Sequence, residues 1–384
     1  MRLVKRERVG WTVAGRHYRL RSARKAAVMR CIDAAGEIFF RRRKKAFPAS
    51  ARRIAVIQLD HVGDMLLAGC FLSNLKAAFH GAAITVIGRT MSREAAAMLD
   101  GADEFVCCNT PWLARDDSAG WPAMLLFAIR NYRRFDLAFD LHGDPRHNIL
   151  ARCIGRFSAG FGFRGLGFLL DMEIRWQHVY SKHVIEMQCE MLHTAGIAVD
   201  YARNSLRIPE TAMRKVRQKC AELGLKENCF FLIQMSSGRR IKDWPPERWE
   251  QLVRLLSAEA PVVCADRDAE KAARAGKGAA AGRFFTLTLT LAEYAALVSM
   301  CRRLISVDTF AVHLAAMLQK PLTAIYSGTN LVAEWGPFGA QYSTSVIQDT
   351  RCDLFPCHFM HDCPYGYPSP CMARVSAETV MIQW

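Results

Sequence analysis

Nowhere in the chain does an apolar run approach the roughly 18 residues that a helix needs to cross a bilayer, although hydrophobic residues fill 51% of its 384 positions. The first 30 residues are broken by Arg or Lys every few positions, so the apolar centre of a secretory signal is missing. Without such a leader, the 14 scattered cysteines are expected to be reduced thiols of a cytosolic protein. There is no G-x-x-x-x-G-K-[ST] loop, no paired C-x2-C knuckle and no recognised nucleic-acid motif. Acid is scarce in one region. Residues 1–53 hold 17 Lys and Arg, but only Glu7, Asp33 and Glu37 oppose them, so +14 of the formal +16 lies there. The rest of the chain is close to neutral. A uniformly basic, nucleic-acid-binding particle is therefore not expected.

The basic arm has a pattern of its own. Over residues 20–45, apolar side chains recur at helical spacing (Leu20, Ala23, Ala27, Cys31, Ala34, Ile38), and Phe39 and Phe40 lead into the block Arg41–Lys45. A basic amphipathic helix of this kind suits an anionic membrane surface. The same stripe also suits packing on the protein body, and the pattern leaves both open.

After Pro48 the pattern changes to alternating strands and helices. Short apolar runs at 53–59, 83–88, 104–107 and 135–141 read as strands, with helical spacing at 64–79 and 121–132 between them. A helical stretch at 182–195 and the segment 199–210 form a bridge. The alternation then restarts, with strands at 229–234, 261–265, 303–307 and 322–326 and helices at 246–258, 291–301 and 309–318. This predicts an α/β protein with two Rossmann-like domains facing a cleft. The expected divisions are a basic helical extension over 1–51, a first Rossmann-like domain over 52–205 and a second, with a Cys-rich tail, over 206–384.

Ligands of such sheets bind beyond the C-terminal ends of the strands, so the polar residues there are the candidates. The first set is D-H-V-G-D, with Asp60, His61, Gly63 and Asp64. Gly63 permits a tight turn. Asp64 opens the predicted helix, either as its cap or as a carboxylate held at the site. The second set is S-S-G-R-R-I-K, in which Ser236, Ser237 and Lys242 precede a helix and suit a phosphate. The third is V-D-T-F-A-V-H, placing Asp308, Thr309 and His313 at one helix start, again suited to an anion. The fourth is S-G-T-N, which adds Gly328 and Thr329.

In order, the segments I-Q-L-D-H-V-G-D, I-K-D-W-P-P-E-R-W, D-T-F-A-V-H-L-A-A and P-L-T-A-I-Y-S-G-T-N resemble the recurring marks of glycosyltransferase family 9, the ADP-heptose:lipopolysaccharide heptosyltransferases. The resemblance spans about residues 52–384 and leaves the arm outside. It implies the GT-B architecture and an inverting glycosyltransferase, which moves a heptose from an ADP-heptose-type donor to a lipopolysaccharide core acceptor at the inner membrane. It also makes the first domain, 52–205, the acceptor domain and the second, 206–384, the nucleotide-sugar domain. By motif match Asp64 is the catalytic base. Ser236, Ser237 and Lys242 face the diphosphate. Asp308, Thr309 and His313 line the donor site, and Gly328 and Thr329 lie near the phosphates. Asp268 of A-D-R-D touches the nucleotide, with Asp266 as its competitor. Asp60, His61 and Gly63 form the acceptor loop. No cofactor or metal is implied. The implied partners are a nucleotide-sugar donor, a lipid-linked saccharide acceptor and, through residues 1–50, an anionic membrane, with the protein peripheral on the cytoplasmic face. The sequence departs from the family at Phe310, where a Gly is usual, and at Gln58, where many members carry a basic residue. The alternative reading is a non-catalytic or divergent nucleotide-sugar-binding paralogue with a different donor.

The tail carries Cys352, Cys357, Cys363 and Cys371, with His358 and His361 among them. Four thiols in 20 residues suit a tetrahedral metal, but the spacing lacks paired knuckles. A structural loop is the expected reading.

Overall fold

The computed structural model describes residues 11–13, 16–20, 22–40, 45–112, 120–175, 182–340, 343–358 and 362–382. The chain divides into two compact units, Met1–Ser205 and Leu206–Trp384. No helix among the described residues is long and apolar enough to cross a membrane.

Unit 1 opens with an antiparallel pair, β1 (Trp11–Val13) and β2 (Arg16–Tyr18), which the sequence pattern did not reveal. Helix α1 (Ala23–Phe39) follows. Its face toward the unit is not the stripe expected from spacing. Ala26, Asp33 and Gly36 are buried, whereas Ala23, Ala27, Cys31 and Ile38 are exposed. The reason is specific bonding: the Asp33 carboxylate accepts from Tyr18 Oη at 2.6 Å and from the Leu166 N–H at 2.8 Å. Gly36 allows close approach, because a Cβ there would stand 2.4 Å from the Phe168 ring. Most of the basic block after the helix, residues 41–44, lies outside the described residues. Lys45 lies 3.2 Å from Asp171.

The body of unit 1 is a six-stranded parallel sheet. Its strands are β3 (Arg53–Gln58), β4 (Ala83–Gly88), β5 (Glu104–Cys107), β6 (Phe135–Asp140), β7 (Gly155–Phe161) and β8 (Met172–Ile174), in spatial order β5-β4-β3-β6-β7-β8. The helices are α2 (Val62–Leu67), α3 (Gly69–Ala78), α4 (Arg93–Met98), α5 (Trp121–Arg130), α6 (Pro145–Ile154) and α7 (Val184–Thr194). β3 and β4 are buried at five of six positions, as expected for central strands covered on both faces. The single helix read from the periodicity of 64–79 is in fact α2 and α3, broken at Ala68. β7 and β8 were missed because G-R-F-S-A-G-F and M-E-I lack a continuous apolar run.

Unit 2 repeats the plan. Strands β9 (Phe231–Gln234), β10 (Val262–Cys264), β11 (Phe284–Thr286), β12 (Arg303–Val307), β13 (Leu322–Tyr326) and β14 (Thr344–Gln348) run parallel in the order β11-β10-β9-β12-β13-β14. The helices are α8 (Glu210–Glu222), α9 (Pro246–Glu259), α10 (Ala269–Gly276), α11 (Leu291–Met300), α12 (Phe310–Met317), α13 (Val332–Trp335), α14 (Pro370–Ala373) and α15 (Ala377–Ile382). The tail is part of the core. Met372, Val375, Ala377 and Val380 pack with Trp244 and Trp249, and Trp244 Nε1 donates to the Val375 carbonyl at 3.0 Å.

Both sheets have the doubly wound order in which the chain reverses direction beside its first strand. The reversal falls between β3 and β6 in unit 1 and between β9 and β12 in unit 2. The loops leaving those strands are where such sheets receive ligands.

Candidate active site

In unit 1, Asp60 leaves β3 and His142 leaves β6. Their side chains meet across the reversal point, His142 Nδ1 against Asp60 Oδ2. The other ring nitrogen, Nε2, meets the Arg164 guanidinium. A guanidinium only donates, so Nε2 is the acceptor and Nδ1–H points at Asp60. Burial, reinforced by Arg164, His147, Arg19 and Arg146, holds the His142 imidazole well below its usual range. The ring is therefore neutral at pH 7. Burial, with Arg19, lowers Arg164 to about 10, which leaves it charged.

A second layer supports this pair. Asp140, fully buried at the end of β6, accepts the Gly143 N–H at 2.7 Å and the His142 N–H at 3.3 Å. Its other neighbour is His147 Nδ1, at 3.3 Å. Trp112 Nε1 donates to His147 Nε2 at 3.4 Å. Asp144 caps α6 and takes two side-chain bonds from Arg146, at 2.8 and 2.6 Å. Burial pushes the Asp144 carboxyl up, but the Arg146 bonds outweigh it and hold the group below its usual range.

Asp64 does not cap its helix. His61, in extended conformation, is the N-cap, and Asp64 is the third residue of α2, half-buried in the first turn. Gly63 precedes it within the helix, and His61 is exposed. The first turn of a helix favours a negative charge. Gln58, buried at the end of β3, donates to the Asp64 carbonyl at 3.2 Å, so the residue that departs from the family pattern serves this loop's backbone.

In unit 2 the reversal point holds a second cross-loop pair. Lys242 ends a short 3-10 turn, Arg240–Lys242, after β9, and its Nζ lies 2.6 Å from Asp308 Oδ2 at the end of β12. The two side chains are only 13% and 5% exposed. Asn330 donates to the same Asp308 oxygen at 2.9 Å. Thr309 caps α12 through the Ala311 N–H at 3.2 Å, and His313 is buried one turn further on.

Ser236 and Ser237, both half-buried, lie in the loop between β9 and Lys242. The Ser237 hydroxyl donates to the Arg239 carbonyl at 2.6 Å, and Lys271 Nζ reaches Ser236 Oγ at 3.4 Å. Asp266 and Asp268 have separate structural tasks. Asp266 gathers N–H donors from Met235, Ser236 and Asp268, at 3.1, 2.6 and 3.0 Å. Asp268 caps α10 through the Lys271 N–H at 3.0 Å. Phe310, the first residue of α12, places its ring 5.4 Å from that of the buried Tyr294 on α11. The side chain that replaces the usual Gly is thus accommodated against a neighbouring helix.

Gly328 and Thr329 are turned inward. The Gly328 N–H meets Cys371 Sγ at 3.4 Å, and its carbonyl accepts the Cys357 N–H at 2.8 Å. Thr329 is fully buried, with its hydroxyl 2.9 Å from that of Ser327. Cys352, Cys357, Cys363 and Cys371 line one small cavity with Gly328 and Ile241. Burial and the three neighbouring thiols push Cys357 up to about 12. Among the described residues, no three His, Cys, Asp or Glu side chains are grouped so as to hold a metal ion. His361 lies outside the described residues.

Residues 127–354 match the family model for glycosyltransferase family 9 (heptosyltransferase), more than half of the chain. The chain belongs to glycosyltransferase family 9. It is 21% identical over 229 residues to lipopolysaccharide heptosyltransferase 3 of Escherichia coli K12, a match covering 56% of this chain and 63% of that relative's length. Its fold is that of a family 9 glycosyltransferase from Veillonella parvula DSM 2008, with a TM-score of 0.71, 20% identity and coverage of 88% and 97% of the two chains. The ADP-heptose LPS heptosyltransferase II of E. coli gives a TM-score of 0.66 at 17% identity, covering 86% and 97%. At these identities the structural likenesses show the GT-B fold and nothing finer.

Of the candidates named from the sequence, the structure puts Asp60, Lys242 and Asp308 in cross-loop pairs and Asp64 in the first turn of α2; Asp140, His142, Asp144, His147 and Arg164, which form the rest of the unit 1 cluster, are not among those named. The signal was available in L-H-G-D-P-R-H, which follows the strand ending at Asp140.

Proposed function

We propose that this protein transfers a heptose from an ADP-heptose-type donor to a lipopolysaccharide core acceptor, with inversion at the sugar carbon. Unit 2 takes the donor. The observation that carries the reading is the Lys242–Asp308 pair at the reversal point of the second sheet. An ammonium has three N–H donors. Asp308 occupies one and fixes the direction of the cation, so the others serve diphosphate oxygens as negative charge develops on the leaving group. Ser236, Ser237, Thr309 and His313 frame the same loop cluster. Gly328, Thr329 and Asp268 shape it through the bonds they make within the unit.

Unit 1 takes the acceptor. Asp64 removes the proton from the attacking hydroxyl, and the neutral His142, held between Asp60 and Arg164, orients the acceptor loop that carries Asp60, His61 and Gly63. An inverting transfer needs one base and no covalent intermediate. The acceptor is lipid-linked, so the protein works at the cytoplasmic face of the inner membrane, with the basic arm, residues 1–50, contributing electrostatic attraction.

The test is direct. Purified protein, ADP-heptose and a heptose-deficient core acceptor should give ADP and an extended core with the anomeric configuration inverted. Binding of ADP-heptose with no transfer to any core acceptor would instead support a non-catalytic relative.

A further inference from the structure

Apart from the exposed apolar end of α1 (Ile38, Phe39 and, just past it, Phe40), unit 1 presents a large apolar surface on one helix face. Along α5, Trp121, Leu125 and Ile129 recur at i, i+4 and i+8 and are 62%, 63% and 62% exposed. Leu126 and, just past the helix, Tyr132 are also exposed. The opposite face already does the packing: Met124 is buried in the unit 1 core, with Phe127 and Ala128 against it. A soluble helix normally turns its apolar stripe inward. This one buries one apolar face and presents a second.

In sequence Asp116 and Asp117 precede the helix, and arginine gathers at its other end. No Asp or Glu occurs from residue 118 to 135, whereas Arg130, Arg133 and Arg134 are exposed at the C-terminal end of α5. Arg156 joins them, with its Nε 3.3 Å from the Arg133 carbonyl. Asp136 accepts the Arg52 and Arg53 N–H groups at 2.9 and 3.0 Å and lies 4.0 Å from Arg156, so Arg130, Arg133 and Arg134 are the cations left to face outward. At its other end the stripe joins the candidate site. Trp121 packs on Trp112 with ring centres 5.3 Å apart, Arg146 lies 4.8 Å over Trp112, and Trp112 donates to His147.

We propose that the exposed face of α5 is a membrane-docking surface that seats unit 1 on an anionic lipid bilayer. Trp121, Leu125, Leu126 and Ile129 enter the headgroup boundary, and Arg130, Arg133 and Arg134 meet lipid phosphates. Aromatic and aliphatic side chains flanked by arginine are the composition of helices that lie in such interfaces. The apolar stripe starts beside the loop of His142 and His147, so docking brings that loop to the bilayer surface. The inference rests on the proposed function only in taking the acceptor to be lipid-linked, and it does not depend on the sugar transferred.

The test uses the full-length protein and sugar-free vesicles of phosphatidylcholine containing about 30% phosphatidylglycerol, scored by co-sedimentation. L125E/I129E should bind about tenfold more weakly, although every cation of the basic arm is retained. Its melting temperature and its turnover on a delipidated, soluble core oligosaccharide should be unchanged. If the double variant lowers the melting temperature, L125A/I129A should still show a smaller loss of vesicle binding. Unchanged vesicle binding in both variants would overturn the proposal. So would a wild-type dimer, seen by sedimentation velocity, that L125E/I129E dissociates, because the face would then be covered by a second copy.

Discussion

Lys242 Nζ lies 2.6 Å from Asp308 Oδ2, joining the loops that leave two neighbouring strands of the second sheet. Both groups are largely removed from water, so each charge depends on the other for compensation. The pair therefore links the stability of unit 2 to the cation proposed to meet the diphosphate.

Removing one partner should expose that link. K242M leaves the Asp308 carboxylate buried without its cation, and breaking a buried pair in this way costs about 3–5 kcal/mol. Adding D308N should recover most of the lost melting temperature, because no uncompensated charge remains. ADP binding should stay lost in the double variant. Thermal melts of K242M and K242M/D308N, each with and without ADP, separate the two effects. Full recovery of ADP binding in the double variant would count against Lys242 as a phosphate ligand.

His142 gives a pH prediction. Its pKa in the folded protein lies below the ordinary 6.5. Below that value the unfolded chain takes up a proton that the native ring refuses, so stability falls as pH drops and the loss levels off below the folded pKa. H142N keeps a donor toward Asp60 but cannot titrate. The wild type should lose more melting temperature between pH 7 and pH 5 than H142N does. Equal losses would show that the ring is not held neutral.

Phe310 is a packing residue by its geometry, because its ring rests on the buried Tyr294. F310A should therefore lower stability by roughly 1–3 kcal/mol, less than for a fully buried Phe. The KM for ADP-heptose should stay within about threefold, a change of well under 1 kcal/mol. A much larger change in KM with little loss of stability would instead make Phe310 a donor-selecting residue.

The strands with continuous apolar runs were legible because a parallel sheet buries both faces of its central strands. β3, β4, β12 and β13 all read this way. Edge and Gly-rich strands such as β7, β11 and β14 were not, since their apolar content is low or interrupted. In α1 the periodicity pointed to the wrong face. The helix is fixed by a polar contact, Asp33 with Tyr18, and by a close approach at Gly36, and neither is visible in an apolar pattern. At the site, single residues after strands could be named from the sequence. Their pairings, Asp60 with His142 and Lys242 with Asp308, could not, because they arise from a strand order that the sequence does not state.

Asp64, in the first turn of α2, is the proposed base of the sugar transfer. The decisive measurement is single-turnover transfer by D64N, run beside titration of the same sample with ADP-heptose. D64N should transfer about 10²–10⁴-fold more slowly, with donor affinity and melting temperature unchanged. Transfer by D64N at the wild-type rate would contradict it.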